Sequence, residues 1–325
     1  GAGKRHRPGG RRRGDGAVSG ILFVGGGPVG ARVLRHLLQA GHPLAAVVGM
    51  RDHPHEAFQA EPVMRQACDA HGVPYAGADL GGEALAEVIR RQGADFLLTT
   101  GYRRLIPADV YALCGRGAVG SHFSLLPAYR GFAPLNWAVL NDEPRTGVSL
   151  FHLAAGMDAG DLVDQAGLAI GPDETAGELM ERATALFLEV LDLRLPALLR
   201  GDAPRTPQDE SRATYTCARV PEDGRIDWSW PARRIHALVR ALAHPFPGAF
   251  TLHRGRPLQV WRTRLPAVPR TYVGLVPGRV VGTVDGAVQV LAGDGIIELL
   301  RVQPHEHPET DAPLLLRSVR DTLGR

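Results

Sequence analysis

Several things are scarce in this chain. Cysteine occurs three times in 325 residues, at Cys68, Cys114 and Cys217. An odd and widely spaced set builds no disulfide framework and suits a reducing compartment, so a cytoplasmic protein is expected. All three read as small buried hydrophobes. Aromatic residues make up only 6% of the chain. No apolar run reaches the roughly 18 residues of a transmembrane helix, so no membrane partner is expected. Charge of one sign is scarce too. The formal net charge is +3, but residues 1–16 (GAGKRHRPGGRRRGDG) hold six Lys/Arg and one acid. The remaining body carries 31 basic against 33 acidic residues. A body so near neutrality argues against a nucleic-acid partner. The basic stretch has no apolar segment, so residues 1–18 read as a disordered leader and not as a secretory signal.

What is present is ordinary for a globular protein, with 44% hydrophobic and 22% charged residues, in a chain long enough for two domains. Residues 19–200 read as α/β. Ile21-Leu22-Phe23-Val24 is a short apolar run of the kind a buried parallel strand shows. A glycine turn follows, and Val33, Leu34, Leu37 and Leu38 then mark one helix face. Leu44–Val48 is the next strand. Helices around Pro62–His71 and Glu83–Gln92 alternate with strands at Val73–Tyr75 and Asp95–Thr99. This alternation predicts a Rossmann-like parallel sheet covered on both faces.

A long helix is predicted over 171–200, with Thr175 and Glu178 as a capping box. The polar stretch Gly201–Ala213 reads as a linker. Residues 214–325 are β-rich. Leu258–Trp261, Arg279–Val284, Ala287–Leu291 and Ile296–Val302 are strand-like, with Asp285-Gly286 and Asp294-Gly295 as hairpin turns. A small, OB-like barrel is the expected closure. Trp228, Trp230 and Trp261 read as packing residues of this second domain. The histidine pairs His53/His55 and His305/His307 lack zinc-type spacing, so no metal is expected.

Two features bear on chemistry. Gly25-x-Gly27-x-x-Gly30 follows a strand and opens a helix, with Asp52 downstream, as a dinucleotide fingerprint would. A tight turn or an anion site at the helix N-terminus explains the glycines equally well. The second feature is the segment Gly120-Ser121-His122-Phe123-Ser124-Leu125-Leu126-Pro127-Ala128-Tyr129-Arg130-Gly131. It runs on through Ala133-Pro134-Leu135-Asn136-Trp137 and Thr146-Gly147-Val148 to Gly156-Met157-Asp158-Ala159-Gly160-Asp161. A histidine at a strand end is poised to move protons near neutral pH. A carboxylate brought close to it would orient the ring and favour its charged form.

This second segment resembles the folate-dependent formyltransferase family, which typically carries Asn-x-His-x-Ser-Leu-Leu-Pro, then Tyr-Arg-Gly, Thr-Gly-Val and Asp-x-Gly-Asp. The resemblance spans residues 19 to about 303. It includes Gly101-Tyr102-Arg103-Arg104-Leu105-Ile106-Pro107, Glu222-Asp223-Gly224-Arg225-Ile226-Asp227-Trp228 and His244-Pro245-Phe246-Pro247-Gly248-Ala249. It implies a catalytic domain over 19–200 and 10-formyltetrahydrofolate as co-substrate. His122 matches the catalytic histidine and Asp158 its carboxylate partner. Arg104, Leu105 and Ile106 match one wall of the folate pocket, and Ala154, Ala155, Gly156 and Met157 the other. Ser124, Tyr129, Arg130 and Asn136 are the implied substrate contacts. The family's glycine turn holds no dinucleotide, which sets the nicotinamide reading aside. Members often pair, so a homodimer is an expectation.

The chain departs from the pattern at Gly120, where the family has an asparagine able to donate to a developing oxyanion. Losing one such donor typically costs about 100- to 1000-fold in turnover. Three readings follow. Ser121, Ser124 or a water replaces the donor; the vacated space admits a larger donor group or an unusual acceptor; or the chain is slow or only binds. The second reading includes transfer of another acyl or formimidoyl group. The loop Arg51-Asp52-His53-Pro54-His55-Glu56-Ala57-Phe58 is mixed in charge where the methionyl-tRNA enzymes are basic. Together with Pro134-Leu135-Asn136-Trp137, it is closer to the nucleotide amino-sugar branch. A small amine acceptor is therefore expected, an amino sugar or an amino-acid-like amine of specialised metabolism.

Overall fold

The computed structural model describes residues 20–52, 58–268 and 270–325. The basic leader lies outside these residues, as do His53, Pro54, His55, Glu56 and Ala57 of the loop considered for acceptor choice.

The first domain runs β1 (Gly20–Gly25), α1 (Gly27–Gln39), β2 (Leu44–Gly49), α2 (Ala60–His71), β3 (Tyr75–Ala78), α3 (Gly82–Gln92), β4 (Ala94–Thr100), α4 (Ala108–Tyr111) and β5 (Ala118–His122). It continues through β6 (Arg130–Gly131), α5 (Pro134–Leu140), β7 (Arg145–His152), β8 (Leu162–Ala169) and α6 (Ala176–Arg200). The main sheet has the order β3-β2-β1-β4-β5-β7-β8. The pairings from β3 to β5 are parallel, whereas β7 and β8 join antiparallel. The expected parallel sheet is thus extended by an antiparallel edge. Strand β1 is apolar throughout because helices cover both of its faces: Ile21 and Phe23 enter the cluster under α1 and α6, while Leu22 and Val24 enter the one under α3.

Element boundaries moved where caps intervene. Gly72 takes a left-handed φ of 65° and Val73 donates to the Cys68 carbonyl, so Val73 closes α2. Pro74 has no N–H to give, and β3 starts after it. The capping box at Thr175 and Glu178 forms as expected, and α6 begins just after it. The glycine turn is explained by backbone proximity. A Cβ at Gly30 would stand 3.2 Å from the Thr100 carbonyl oxygen, and Gly27 has a φ of 62°. Asp52 accepts from the Glu61 N–H at 2.8 Å, capping α2. Cys68 and Cys114 are buried, and burial pushes both thiols up to about 11. Cys217 is exposed, against expectation, because it follows a surface strand.

The second domain contains β9 (Tyr215–Thr216), α7 (Ala232–Leu242), β10 (Ala249–His253), β11 (Arg256–Arg264), β12 (Val280–Val284), β13 (Ala287–Leu291), β14 (Ile296–Pro304), β15 (Thr310–Asp311) and α8 (Ala312–Leu315). Its antiparallel sheet has the order β10-β11-β14-β13-β12, with β15 on β14. Among the described residues no pairing joins β10 to β12. Asp285 and Gly286 both take positive φ, 47° and 73°, as a tight hairpin turn demands. Trp228 and Trp261 are buried, and each indole N–H has a partner, Thr251 and Gln303.

Helix α7 is the joint between the domains. Nine of its residues, Arg240 and His236 included, are buried. Arg240 reaches Asp142 at 2.8 Å and the Glu174 carbonyl at 3.1 Å, while His236 reaches Asp173 at 3.3 Å. Residues 201–213 do not behave as a free tether. Thr206 pairs with Leu162, and β9 pairs with β6, so the segment runs back along the first domain as a strap.

Candidate active site

Parallel pairing sets the C-terminal ends of β1, β4 and β5 along one sheet edge: Gly25 pairs with Thr100, and Thr99 with Gly120. His122 ends β5 there and is 6% exposed. Its Nε2 lies 2.7 Å from the Tyr129 carbonyl oxygen. A carbonyl only accepts, so Nε2 carries a proton and Nδ1 is left as the basic nitrogen. Nδ1 lies 3.5 Å from Asp158 Oδ2, which also accepts from the Gly131 N–H at 2.8 Å. The structure therefore brings together the two residues that the sequence paired.

The loops that hold this pair are conformationally costly. Tyr129, Ala133 and Asp158 take positive φ of 59°, 46° and 50° without being glycine. Such conformations persist only where the surroundings over-determine them. Here the surroundings are the strap. Arg130 donates its N–H to the Thr214 carbonyl, and Thr214 Oγ1 accepts from the Tyr129 N–H. The Arg130 side chain, 1% exposed, makes a forked pair with Glu210 at 2.6 and 2.8 Å and also reaches Gln208 and Tyr215.

Several expected roles change. Ser121 donates to Thr100 Oγ1 at 2.5 Å, and strand alternation turns it to the face opposite Gly120 and His122. It is not placed to replace a donor beside His122. Ser124 is 2% exposed and donates to the Ala128 carbonyl at 2.6 Å, so it holds the turn instead of meeting a substrate. Tyr129 gives its hydroxyl proton to Glu143 at 2.6 Å. Asn136 donates to the Ala241 carbonyl at 2.8 Å, which makes it a clasp between α5 and α7. With Arg130 on the strap, all four implied substrate side chains are engaged within the protein.

Gly120 is closed in, not open. A Cβ there would stand 3.2 Å from Leu153 Cδ2 and from Cε1 and Cζ of Phe151. A side chain there would need Leu153 and Phe151 to give by a few tenths of an ångström, so no open cavity adjoins Gly120 at its Cβ position. The walls assigned to the folate pocket are exposed. Leu105 is 77% and Met157 45% exposed. Ile106, and Leu153 just before the second wall, pack on the hydrophobic cluster of the α3 face of the sheet. Arg104 donates to the Asp79 carbonyl at 2.7 Å. Among the described residues no group of three or more His, Cys, Asp or Glu is gathered to hold a metal.

Sequence reasoning missed Gln208, Glu210, Thr214, Phe151 and Leu153. The first three lie in or next to a polar stretch whose composition reads as linker. Nothing in spacing reveals which loop a linker will bind.

Residues 20–192 match the sequence profile of a family described as formyl transferase, and residues 219–320 match the formyl transferase C-terminal domain. A methionyl-tRNA formyltransferase of Solibacter usitatus is 36% identical over 286 residues, 87% of this chain and 90% of that protein. An N-formyltransferase from Helicobacter canadensis, solved with folinic acid and dTDP-3-aminofucose, superposes with a TM-score of 0.64 at 15% identity, covering 88% of this chain and all of that one. HypX from Aquifex aeolicus, solved with tetrahydrofolic acid, gives a TM-score of 0.62 at 19% identity. That match covers 93% of this chain and 48% of HypX, so the chain spans about half of that protein.

Proposed function

The chain belongs to the formyl transferase family, and on that footing we propose that it moves a formyl group from 10-formyltetrahydrofolate to the amine of a small molecule, with an amino sugar as the favoured class. Exposed apolar side chains on the two segments implied as folate walls support this reading. The exposed side chains of Leu105 and Met157 offer apolar surface to a flat ring, and the exposed backbone around them offers hydrogen-bond partners. When bound, the folate supplies the activated one-carbon group. The protein's part is to hold and move protons. His122 Nδ1 takes the proton leaving the attacking amine, and the Asp158 carboxylate stabilises the imidazolium that results. The proton then returns to the folate nitrogen as it departs. With Ser121 and Ser124 engaged elsewhere, the developing oxyanion is left to backbone N–H groups and water.

The small-acceptor reading is supported by charge pairing in the cleft between the domains, whose lining includes neither His122 nor Asp158. This cleft of about 1070 Å³ lies over α1, α6 and β11. Four of its arginines are paired in place: Arg32 with Glu181, Arg240 with Asp142, Arg264 with Glu298 and Arg301 with Glu309. A polynucleotide acceptor needs free cations for its phosphates. The second reading, methionyl-tRNA, is favoured by the 36% identity to the Solibacter enzyme and by Arg35 and Arg262, which line the same cleft with no ion pair among the described residues. The deciding experiment incubates the protein with 10-formyltetrahydrofolate and a panel of nucleotide amino sugars, free amino acids and methionyl-tRNA, read by mass. Formylation of a small amine supports the proposal, formylation of methionyl-tRNA alone supports the second reading, and no formylated product from any acceptor would sink both.

A further inference from the structure

The side-chain amide of Gln208 is fully used, and both of its ends touch the catalytic loops. Its Oε1 accepts from Arg130 Nε at 3.2 Å and from Arg130 Nη2 at 2.8 Å. Its Nε2 donates to the carbonyls of Asp158 at 2.8 Å and Gly160 at 2.7 Å. Two acceptor positions and two donor hydrogens are all that an amide has. Arg130 sits between Tyr129, whose carbonyl holds His122 Nε2, and Gly131, whose N–H holds the Asp158 carboxylate. One side chain therefore spans the loop that orients the histidine and the loop that carries the aspartate.

We infer that Gln208 is a positioning residue, which sets the separation of His122 and Asp158 by tying Arg130 to the backbone of Asp158 and Gly160. The inference rests on the reading above, in which that pair handles the protons of formyl transfer. Asp158 needs such a tie because its φ of 50° is unfavourable for a residue with a side chain. Its backbone carbonyl must also find a donor at that turn, and Gln208 supplies it. Nothing else on the strap reaches both loops with one side chain: Glu210 meets only the Arg130 side, and Thr214 meets residues 129–130.

The amide's two ends can be separated by substitution. Gln208→Glu keeps an acceptor, now charged, for Arg130 but removes both donors to Asp158 and Gly160. Gln208→Ala removes everything. The variants are compared with the wild-type protein in two ways: the ring nitrogen resonances of His122 at fixed pH, which need no substrate, and the kcat and KM of formyl transfer. Gln208→Glu is expected to stay folded with a lowered melting temperature, to displace the His122 resonances, and to lower kcat about 10- to 100-fold with KM little changed, as a misplaced catalytic pair does. Unmoved His122 resonances in a folded Gln208→Glu would overturn the inference, whatever happens to kcat. If Gln208→Ala fails to fold, Gln208→Glu still decides. A wild-type protein that transfers no formyl group would defeat the functional reading, while the resonance comparison would still test the role of Gln208.

Discussion

The Tyr129 carbonyl oxygen accepts the Nε2 proton of His122 at 2.7 Å, so the only basic nitrogen of that ring faces Asp158. The tautomer is fixed by a backbone group that cannot titrate. It is held there because Tyr129 adopts a φ of 59°, stabilised by the strap.

His122→Asn should therefore abolish the proton relay and lower kcat by about 100- to 10,000-fold. Asp158→Asn should keep an acceptor for the Gly131 N–H but lose the charge facing Nδ1. Its kcat should fall less than that of His122→Asn, with KM for the folate near the wild-type value. Steady-state rates for the two variants check both.

Gly120→Asn should not restore a family-like donor by itself, because its Cβ would press on Phe151 and Leu153 at 3.2 Å. Chemical denaturation of Gly120→Ala isolates that contact. A loss of about 1–3 kcal/mol is expected, as overpacking costs. Adding Phe151→Leu should recover part of it. The pair Gly120→Asn with Phe151→Leu is the combination expected to raise formyl transfer above Gly120→Asn alone.

Arg130→Met should destabilise the protein by about 2–4 kcal/mol, because hydrogen bonds to a charged group are lost and Gln208 and Tyr215 lose their partner. Arg130→Lys should not rescue it, since a single ammonium cannot make the fork to Glu210. Thermal melts of both variants test this.

Stability should fall on acidification for a stated reason. Burial holds the imidazoles of His236 and His152 below the ordinary histidine value of 6.5. A histidine kept neutral by the fold takes up its proton more readily when unfolded. Its contribution is therefore complete above the unfolded value and is lost as pH falls through the lower folded value. Melting temperatures measured downward from neutral pH should decline, and His236→Asn should flatten that decline.

The fold around the site was legible where it depended on residues close in sequence. His122, Asp158 and the glycine turn lie within short motifs, and the α/β alternation follows from apolar runs that any buried parallel strand must show. The capping box at Thr175 and Glu178 is a local device, and it formed as read. What could not be read was which distant segment would support the loops. Arg130 and Asn136 are substrate contacts only by what the family resemblance implies. They are instead consumed by Glu210 and by the Ala241 carbonyl, which lie far along the chain. The polar composition of 201–213 reports solvent exposure and hides the pairing of Thr206 with Leu162 and the hold of Gln208 and Glu210 on Arg130.

The most direct test of the account is a competition in one tube. The protein, isotopically labelled 10-formyltetrahydrofolate, a nucleotide-linked amino sugar and methionyl-tRNA are mixed, and the label is followed by mass. The label should appear on the amino sugar's nitrogen with the wild-type protein and on neither acceptor with His122→Asn. Label on methionyl-tRNA alone, or equal labelling by His122→Asn, would contradict it.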